Sequence, residues 1–241
     1  YIGVEHAIGV ASGTDALLLT LRTMGIGPGD EVIVPAFTFF ASAGAVLLLG
    51  AKPVLVDVDP ITYCLDAKQL ETKITPFTKA IMPVHLFGHL ADMPAILEVA
   101  ARYDLPVIED AACALGSQFQ GRSAGSWGQL GCFSFHPRKS ITTGEGGMIT
   151  TLRSELAELS RSLRDHGATR SDLLRHENPE SFLLAEYPRL GFNYRMTDIQ
   201  AAVGCAQMDR APDILACRAQ VASRYNEALS ELSWLRRPST P

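Results

Sequence analysis

The sequence has little charge and only short apolar runs. Charged residues make up 20% of the 241 residues, and at a net charge of −5 the scattered lysines and arginines form no basic patch for nucleic acid. The longest apolar stretch, from Ala41 to Ala51, is about half of the roughly 20 residues that a membrane-spanning helix needs. We therefore predict no nucleic-acid partner and no membrane span, and we assign this stretch to a buried helix.

Paired cysteines are also lacking. The five cysteines lie far apart, and none belongs to a C-x-x-C motif. They are Cys64, Cys113, Cys132, Cys205 and Cys217. An odd number of widely spaced cysteines is not typical of a disulfide framework or a zinc ribbon. The opening "YIGVEHAIGVASGTDAL" has the pattern of a folded domain rather than of a signal peptide. Together these features predict a cytoplasmic protein.

Short apolar runs and amphipathic stretches alternate from the first residue to about Pro137. Runs such as "EVIVP" and "PVIED" are typical of buried strands, whereas "TDALLLTLRTMG", "DAKQLETKI" and "DMPAILEVAARY" have helical spacing. This alternation predicts an α/β fold in three layers, with a mostly parallel sheet flanked by helices. Further along, "MITT" predicts another strand, "SELAELSRSLRDHG" a helix, and residues 170–188 an irregular excursion. Two helices follow, and Thr197 is suited to cap the first.

Ligands of such sheets bind at the carboxyl ends of the strands, and two motifs lie there. In "SGTDAL", Ser12, Gly13 and Thr14 connect a strand to a helix whose first backbone N–H groups suit a phosphate. An ordinary helix N-cap explains the same residues equally simply. In "VIED", alternation along the strand directs one of Glu109 and Asp110 away from the core and leaves the other at the ligand edge, as a ligand group or a helix cap.

Two further motifs carry an aromatic group and an amine. An aromatic ring of "FTFF", from Phe37 to Phe40, could stack on a planar ligand or pack in the core. Lys139 lies in the turn "FSFHPRKSITTGEGG", where partial desolvation would turn its amine into a nucleophile for Schiff-base chemistry, although a lone lysine is most often solvated. A phosphate cradle, a strand-end acid and a lysine are together the groups that pyridoxal phosphate requires.

Other polar residues favour simpler interpretations. His85 and His89 are four residues apart, but they belong to a strand and a glycine turn rather than to a helix, so we predict no metal site. His136 and Glu145 flank the lysine turn. Either could contact substrate, and either could serve the local structure alone.

Four motifs resemble, in order and spacing, those of the pyridoxal-phosphate aminotransferases that act on nucleotide-linked keto sugars, the DegT/DnrJ/StrS family. They are "SGTDALLLTLRTMGIGPGDEVIVPAFTFFAS", "VIEDAACALGS", "CFSFHPRKSITTGEGGMITT" and "LGFNYRMTDIQAA". The resemblance implies the pyridoxal-phosphate-binding large domain of a fold type I enzyme over residues 1–209, and a long helix over residues 210–241 that leads towards a C-terminal small domain. It also implies that family segments precede Tyr1 and follow Pro241.

The resemblance assigns roles to individual residues. Lys139 would hold the cofactor aldehyde as a Schiff base and then act as the acid and base of the reaction. Asp110 would pair with the ring nitrogen, and Phe39 would stack on the ring. The remaining cofactor contacts implied are Gly13, Thr14 and Ser134 at the phosphate, and Asn193 of the neighbouring subunit in a homodimer with a shared active site.

Cys113 departs from the family pattern, which has Gln or His near the 3′ oxygen of the cofactor. A thiol is a weaker hydrogen-bond donor, so the resemblance leaves the effect of this residue open.

These features predict a ping-pong aminotransferase that moves an amino group from an amino acid, glutamate in our prediction, to a keto sugar on a nucleoside diphosphate. One alternative is a sugar dehydratase that uses the same cofactor, but its relatives replace the lysine with histidine, so Lys139 disfavours it. Another is a regulatory protein that retains the fold, which the intact set of cofactor residues disfavours.

Overall fold

Strands and helices alternate along the chain in the computed structural model, which describes residues 1–169 and 186–238. The strands are β1 (His6–Val10), β2 (Glu31–Pro35), β3 (Lys52–Val56), β4 (Thr78–Ile81), β5 (Ile108–Asp110), β6 (Gln118–Phe119), β7 (Arg122–Ser123), β8 (Leu130–Ser134) and β9 (Gly147–Thr151). The α-helices are α1 (Gly13–Thr23), α2 (Ala41–Leu48), α3 (Met93–Arg102), α4 (Ser154–Arg164), α5 (Asp198–Asp209) and α6 (Ala211–Ala228).

Parallel pairing dominates the central sheet. Strands β3, β2 and β4 are parallel, β5 is parallel to β8, and β9 lies antiparallel between β8 and β1. Bridges from Ile81 to Val107 and from Val84 to Asp110 join the two sets into one sheet of order β3-β2-β4-β5-β8-β9-β1. Because β1, β2, β5 and β8 run in the same direction, their carboxyl ends lie at one edge. The prediction of a mostly parallel α/β sheet is confirmed.

Neighbouring residues of β2 enter two different cores. Val32 and Val34 pack with α1, α2 and α4, whereas Ile33 packs with α3 on the other face. All five residues of β2 are buried, as a central strand covered on both faces requires. The two cores therefore form the predicted three layers, helix on sheet on helix.

Side-chain caps fix where the helices begin. Ser12 accepts a hydrogen bond from Asp15 N at the start of α1, and Asp92 accepts one from Ala95 N at the start of α3. Thr197 and Gln200 form a reciprocal capping box at α5, so the predicted cap at Thr197 is confirmed.

Two predicted helical segments differ from the structure. The predicted helix is replaced by two separate 3₁₀ helices, Ala67–Gln69 and Glu71–Lys73. Only Leu70 of this stretch is buried, and a helix in a protein needs the packing of an apolar face to extend beyond one turn. The apolar stretch from Ala41 forms α2, but Leu47 and Leu48 are 53% and 69% exposed, so the helix is buried on one face only.

Other elements were not predicted or remain untested. Strand β8 and the hairpin of β6 and β7 have no counterpart in the predicted elements. Most of the predicted excursion, residues 170–185, lies outside the described residues. The division at residues 209 and 210 stays a prediction. Within the described residues, no helix combines the length and the hydropathy that crossing a membrane requires.

We expect Gly131→Ala to destabilise the protein by about 1–3 kcal/mol, the usual range for an overpacked core. A Cβ at Gly131, in the middle of β8, would lie 2.5 Å from Gly125 Cα and 2.5 Å from Thr150 Oγ1. Gly27→Ala is the matched control, since its added methyl group would meet no atom within 4 Å. Thermal unfolding of both variants tests this, and equal melting temperatures would contradict it.

Candidate active site

The loops that follow β1, β2, β5 and β8 all leave the sheet at its carboxyl edge. These loops and the element ends beside them hold every predicted cofactor residue other than Asn193: Gly13, Thr14, Phe39, Asp110, Cys113, Ser134 and Lys139. The sheet topology therefore gathers residues that are far apart in sequence at one edge of the molecule.

The start of α1 and the end of β8 form a narrow cradle. Helix geometry leaves the first N–H groups of α1, at Gly13 and Thr14, without acceptors inside the helix. A Cβ at Gly13 would lie 2.6 Å from Ser134 Cβ, so only glycine lets the strand end approach the helix this closely. Thr14 is exposed. Backbone N–H groups and hydroxyls at a helix N-terminus suit a phosphate.

The Asp110 carboxyl is buried at the end of β5, with 4% of the residue exposed. Ser42 Oγ donates to Oδ2 at 2.7 Å, and Ala112 N donates to Oδ1 at 3.1 Å. Burial raises the pKa of Asp110 above its ordinary value, and the hydrogen bonds from Ser42 and Ala112, the largest of the opposing effects, offset this rise only in part. A carboxylate in this setting is stabilised by a cationic partner such as a protonated ring nitrogen.

Ser42 links Asp110 to the predicted aromatic residue Phe39. Ser42 is fully buried, and its backbone N donates to Phe39 O at 3.2 Å. Phe39 is 77% exposed and Phe40 is 72% exposed, and the ring of Phe40 lies against Gly44 of the helix that follows it. Phe39 therefore has an exposed aromatic ring, and its backbone is linked to Asp110 through Ser42. Ser42 was not predicted, because "FTFFAS" does not reveal which strand end its helix faces.

Lys139 and Cys113 lie in contact. Lys139 Nζ donates to Cys113 Sγ at 3.2 Å, and Lys139 N donates to His136 O at 2.9 Å to close the turn. Lys139 is partly buried. Its charge lowers the pKa of Asp110, although less than burial raises it, so the amine and the carboxyl act on each other electrostatically.

The two predicted substrate residues lie side by side. His136 Nε2 is 3.8 Å from Glu145 Oε1, and both side chains are exposed. His136 Nδ1 accepts from Arg138 N at 3.2 Å, which leaves Nε2 to face Glu145. The pair is therefore available to a substrate that enters beside Lys139.

Asn193 is exposed, although the residues on either side of it are partly buried. The surrounding segment is fixed by hydrogen bonds from Ala11 N to Tyr194 O at 2.9 Å and from Tyr194 N to Arg164 O at 3.0 Å. Within the described residues, no hydrogen bond joins the Asn193 side chain to the other predicted site residues. This outward placement is compatible with the predicted contact to a neighbouring subunit.

The expectation that one of Glu109 and Asp110 points away from the core is wrong. They point to opposite faces of the sheet, yet both are buried, with Glu109 fully inaccessible. Glu109 Oε2 lies 2.8 Å from Nε2 of the fully buried His85. This His85–Glu109 pair was not predicted. In the part of the chain that the structure describes, no three His, Cys, Asp or Glu side chains are grouped as metal ligands.

The residues present fit pyridoxal phosphate. The cradle suits its phosphate, the buried Asp110 suits its ring nitrogen, the amine of Lys139 suits its aldehyde, and Phe39 offers a surface for the ring. Asp110 has two neutral hydrogen-bond donors, so a protonated ring nitrogen would add the charge compensation that its buried carboxylate needs.

Known proteins resemble the chain over nearly all of its length. The model of the DegT/DnrJ/EryC1/StrS aminotransferase family matches residues 1–241. GDP-perosamine synthase of Caulobacter vibrioides is 53% identical over 232 residues, which are 96% of this chain and 60% of that protein. UDP-N-acetyl-3-dehydro-alpha-D-glucosamine 3-aminotransferase of Acidithiobacillus ferrooxidans is 45% identical over 240 residues, 99% of this chain and 61% of that protein.

A solved structure agrees in fold. DesV of S. venezuelae, determined in complex with a ketimine intermediate, has a TM-score of 0.90 and 40% sequence identity, covering 100% of this chain and 62% of that one. The fold is therefore that of the fold type I pyridoxal-phosphate aminotransferases. The chain spans about three fifths of the length of the relatives that it matches.

We expect Asp110→Asn to stabilise the cofactor-free protein at neutral pH. Because the pKa of Asp110 is raised by folding, the folded state keeps a proton that the unfolded chain has released, so its free energy of unfolding falls as the pH rises from the ordinary pKa through the raised one. Asparagine removes this ionisation and flattens the pH dependence.

Thermal unfolding of both forms between about pH 4 and pH 8 checks the expectation. The exposed Asp209→Asn is the control and should leave the pH dependence of the wild type unchanged. A loss of stability in Asp110→Asn at neutral pH would show that the carboxylate is compensated in the folded chain.

Proposed function

Because the chain belongs to the DegT/DnrJ/EryC1/StrS aminotransferase family, we propose that it forms the cofactor-binding part of a pyridoxal-phosphate-dependent aminotransferase. The observation that supports this most directly is the shared edge at which the Lys139 amine, the buried Asp110 carboxyl and the cradle of Gly13 and Ser134 lie. These are the three attachment points that this cofactor needs, and they come from three separate strands.

The substrates proposed follow from chemistry and from the relatives. Two relatives are named for nucleotide-linked sugars, and we propose that the acceptor is a keto sugar on a nucleoside diphosphate. The donor is an amino acid, glutamate in our proposal. It leaves its amino group on the cofactor and departs as a keto acid before the sugar binds, so the reaction is ping-pong.

Each site residue has a role in this proposal. When bound, pyridoxal phosphate supplies an electron-withdrawing ring that stabilises negative charge on the substrate carbon. Lys139 Nζ would hold the aldehyde and, once substrate has taken its place, would move a proton from the substrate carbon to C4′ of the cofactor. Asp110 keeps the ring nitrogen protonated, since burial disfavours its carboxylate without a cationic partner.

The other residues orient the cofactor and the substrate. Gly13, Thr14 and Ser134 hold the phosphate, and Phe39 covers one face of the ring. The Cys113 thiol lies beside the lysine amine and replaces the stronger donor of the family near the 3′ oxygen. We propose that the exposed pair of His136 and Glu145 contacts substrate.

We propose that a homodimer completes the site through Asn193 of the neighbouring subunit. Its exposed side chain sits on a segment fixed by backbone hydrogen bonds, so it is presented rigidly to a partner. The cytoplasmic location, which we inferred from the cysteine pattern, stays a prediction.

We expect Lys139→Ala to abolish the visible absorption band of the lysine-bound cofactor. Transamination should fall by at least about 100-fold, the lower range of general acid–base catalysis. The exposed Lys79→Ala is the control and should retain both properties. Absorption spectra of the full-length protein, before and after adding glutamate and a keto sugar nucleotide, measure the band and the two half-reactions. Intact transamination in Lys139→Ala would exclude the proposed function.

We expect inactive subunits to complement each other if the site is shared. Lys139→Ala lacks the amine, and Asn193→Asp repels the phosphate of the neighbouring site. A refolded one-to-one mixture should regain about a quarter of wild-type activity, since half of random dimers are mixed and each holds one intact site of two. Activity assays of each variant and of the mixture measure this. A mixture no more active than its components would exclude Asn193 from the partner's site.

A further inference from the structure

Strand β5 buries two consecutive carboxyl groups, and the proposed function uses only one of them. Asp110 faces the candidate active site, whereas Glu109 faces the opposite side of the sheet. A buried carboxylate is costly unless it is fully hydrogen-bonded. The contacts of Glu109 therefore indicate its role.

Glu109 accepts hydrogen bonds from four donors. Its Oε1 accepts from Trp127 N at 2.6 Å and from Gly128 N at 2.7 Å. Its Oε2 accepts from Gly125 N at 2.8 Å and lies 2.8 Å from His85 Nε2. Backbone N–H groups can only donate, so both oxygens of Glu109 serve as acceptors.

The other ring nitrogen of His85 fixes its tautomer. Nδ1 accepts from Ala91 N at 3.2 Å, so this nitrogen carries no proton. The proton of the neutral ring is therefore on Nε2, which donates it to Glu109. The histidine is fully buried, and both of its ring nitrogens have a partner.

The segment that carries His85 also holds the backbone of Asp110. His85 N donates to Asp110 O at 3.0 Å, and Asp110 N donates to Pro83 O at 2.9 Å. With the side-chain bond from His85 to Glu109, these contacts close a ring through β5 and the segment that follows β4. Asp110 is thus fixed on its backbone side by this ring and on its carboxyl side by Ser42.

We propose that His85 and Glu109 are a positioning pair for Asp110. The hydrogen bond between their two side chains keeps the Asp110 carboxyl aligned with the ring nitrogen of bound pyridoxal phosphate. The inference rests on the proposed function. It assigns to the pair no contact with cofactor or substrate, since both side chains lie buried on the other side of β5.

Two substitutions of His85 separate its two hydrogen bonds. In His85→Gln, the longer side chain carries its amide N–H near the place of Nε2 and keeps the donor to Glu109. In His85→Asn, the shorter side chain keeps an acceptor near the place of Nδ1 for Ala91 N and loses that donor. The variants form a matched pair, since each removes the ring and each introduces an amide.

The test uses the purified full-length protein loaded with pyridoxal phosphate labelled with ¹⁵N in the ring. The ¹⁵N chemical shift reports directly whether the ring nitrogen is protonated. We expect His85→Asn to move this shift towards that of the neutral ring and to lower kcat by about 10- to 100-fold with KM for the sugar unchanged, as outer partners of bound groups typically do. His85→Gln should keep the wild-type shift and remain within a few fold of wild-type kcat.

Thermal unfolding of the cofactor-free variants separates positioning from stability. If His85→Asn melts lower but keeps the wild-type ¹⁵N shift, or if it does not fold at all, the pair serves the fold alone and the inference is overturned. An equal change in shift for both variants would overturn it as well, because the donor to Glu109 would then be irrelevant. If the wild type itself binds no cofactor, the proposed function fails first and the inference with it.

Discussion

A carboxyl buried at the end of a parallel strand is the constraint on which the candidate site depends. Asp110 is removed from water, and its two nearest donors, Ser42 and the backbone of Ala112, bring no charge. Burial therefore raises its pKa and leaves the carboxylate in need of a cation. Two features of the site can meet this need. Lys139 supplies a positive charge, and the open sheet edge leaves room for a ring that can carry a proton.

The two neighbouring carboxyl groups of β5 are both buried, but they differ in the number of their hydrogen-bond donors. Glu109 is given four donors, so its charge is satisfied within the protein and it requires nothing from a ligand. Asp110 is given two, so its compensation is incomplete until a cationic partner binds. The number of donors therefore distinguishes the acid whose partners all lie within the protein from the acid that we propose for the cofactor, whereas burial alone does not.

The three layers, and the position of the site residues at one sheet edge, could be predicted from the sequence. Near-continuous apolar strands indicate a parallel sheet, and the carboxyl ends of parallel strands share one edge. The sequence did not allow the partners of Asp110 to be predicted. Ser42 follows β2 and Asp110 ends β5, and β4 lies between these two strands, so their hydrogen bond joins elements that are not neighbours in the sheet. Likewise, His85 meets Glu109 through pairing of segments 24 residues apart. Strand order and rotamers are tertiary properties, and local residue patterns do not encode them.

The choice of cysteine beside Lys139 fits the same electrostatic scheme. A carboxylate within hydrogen-bonding distance of Nζ would hold the ammonium ion in a strong charge-assisted pair and keep the amine protonated. The Cys113 thiol at 3.2 Å is a weak acceptor, so it contacts the Lys139 amine without forming a strong ion pair with it. The positive charge of Lys139 also lowers the pKa of Asp110, so the amine interacts electrostatically with a buried acid as well.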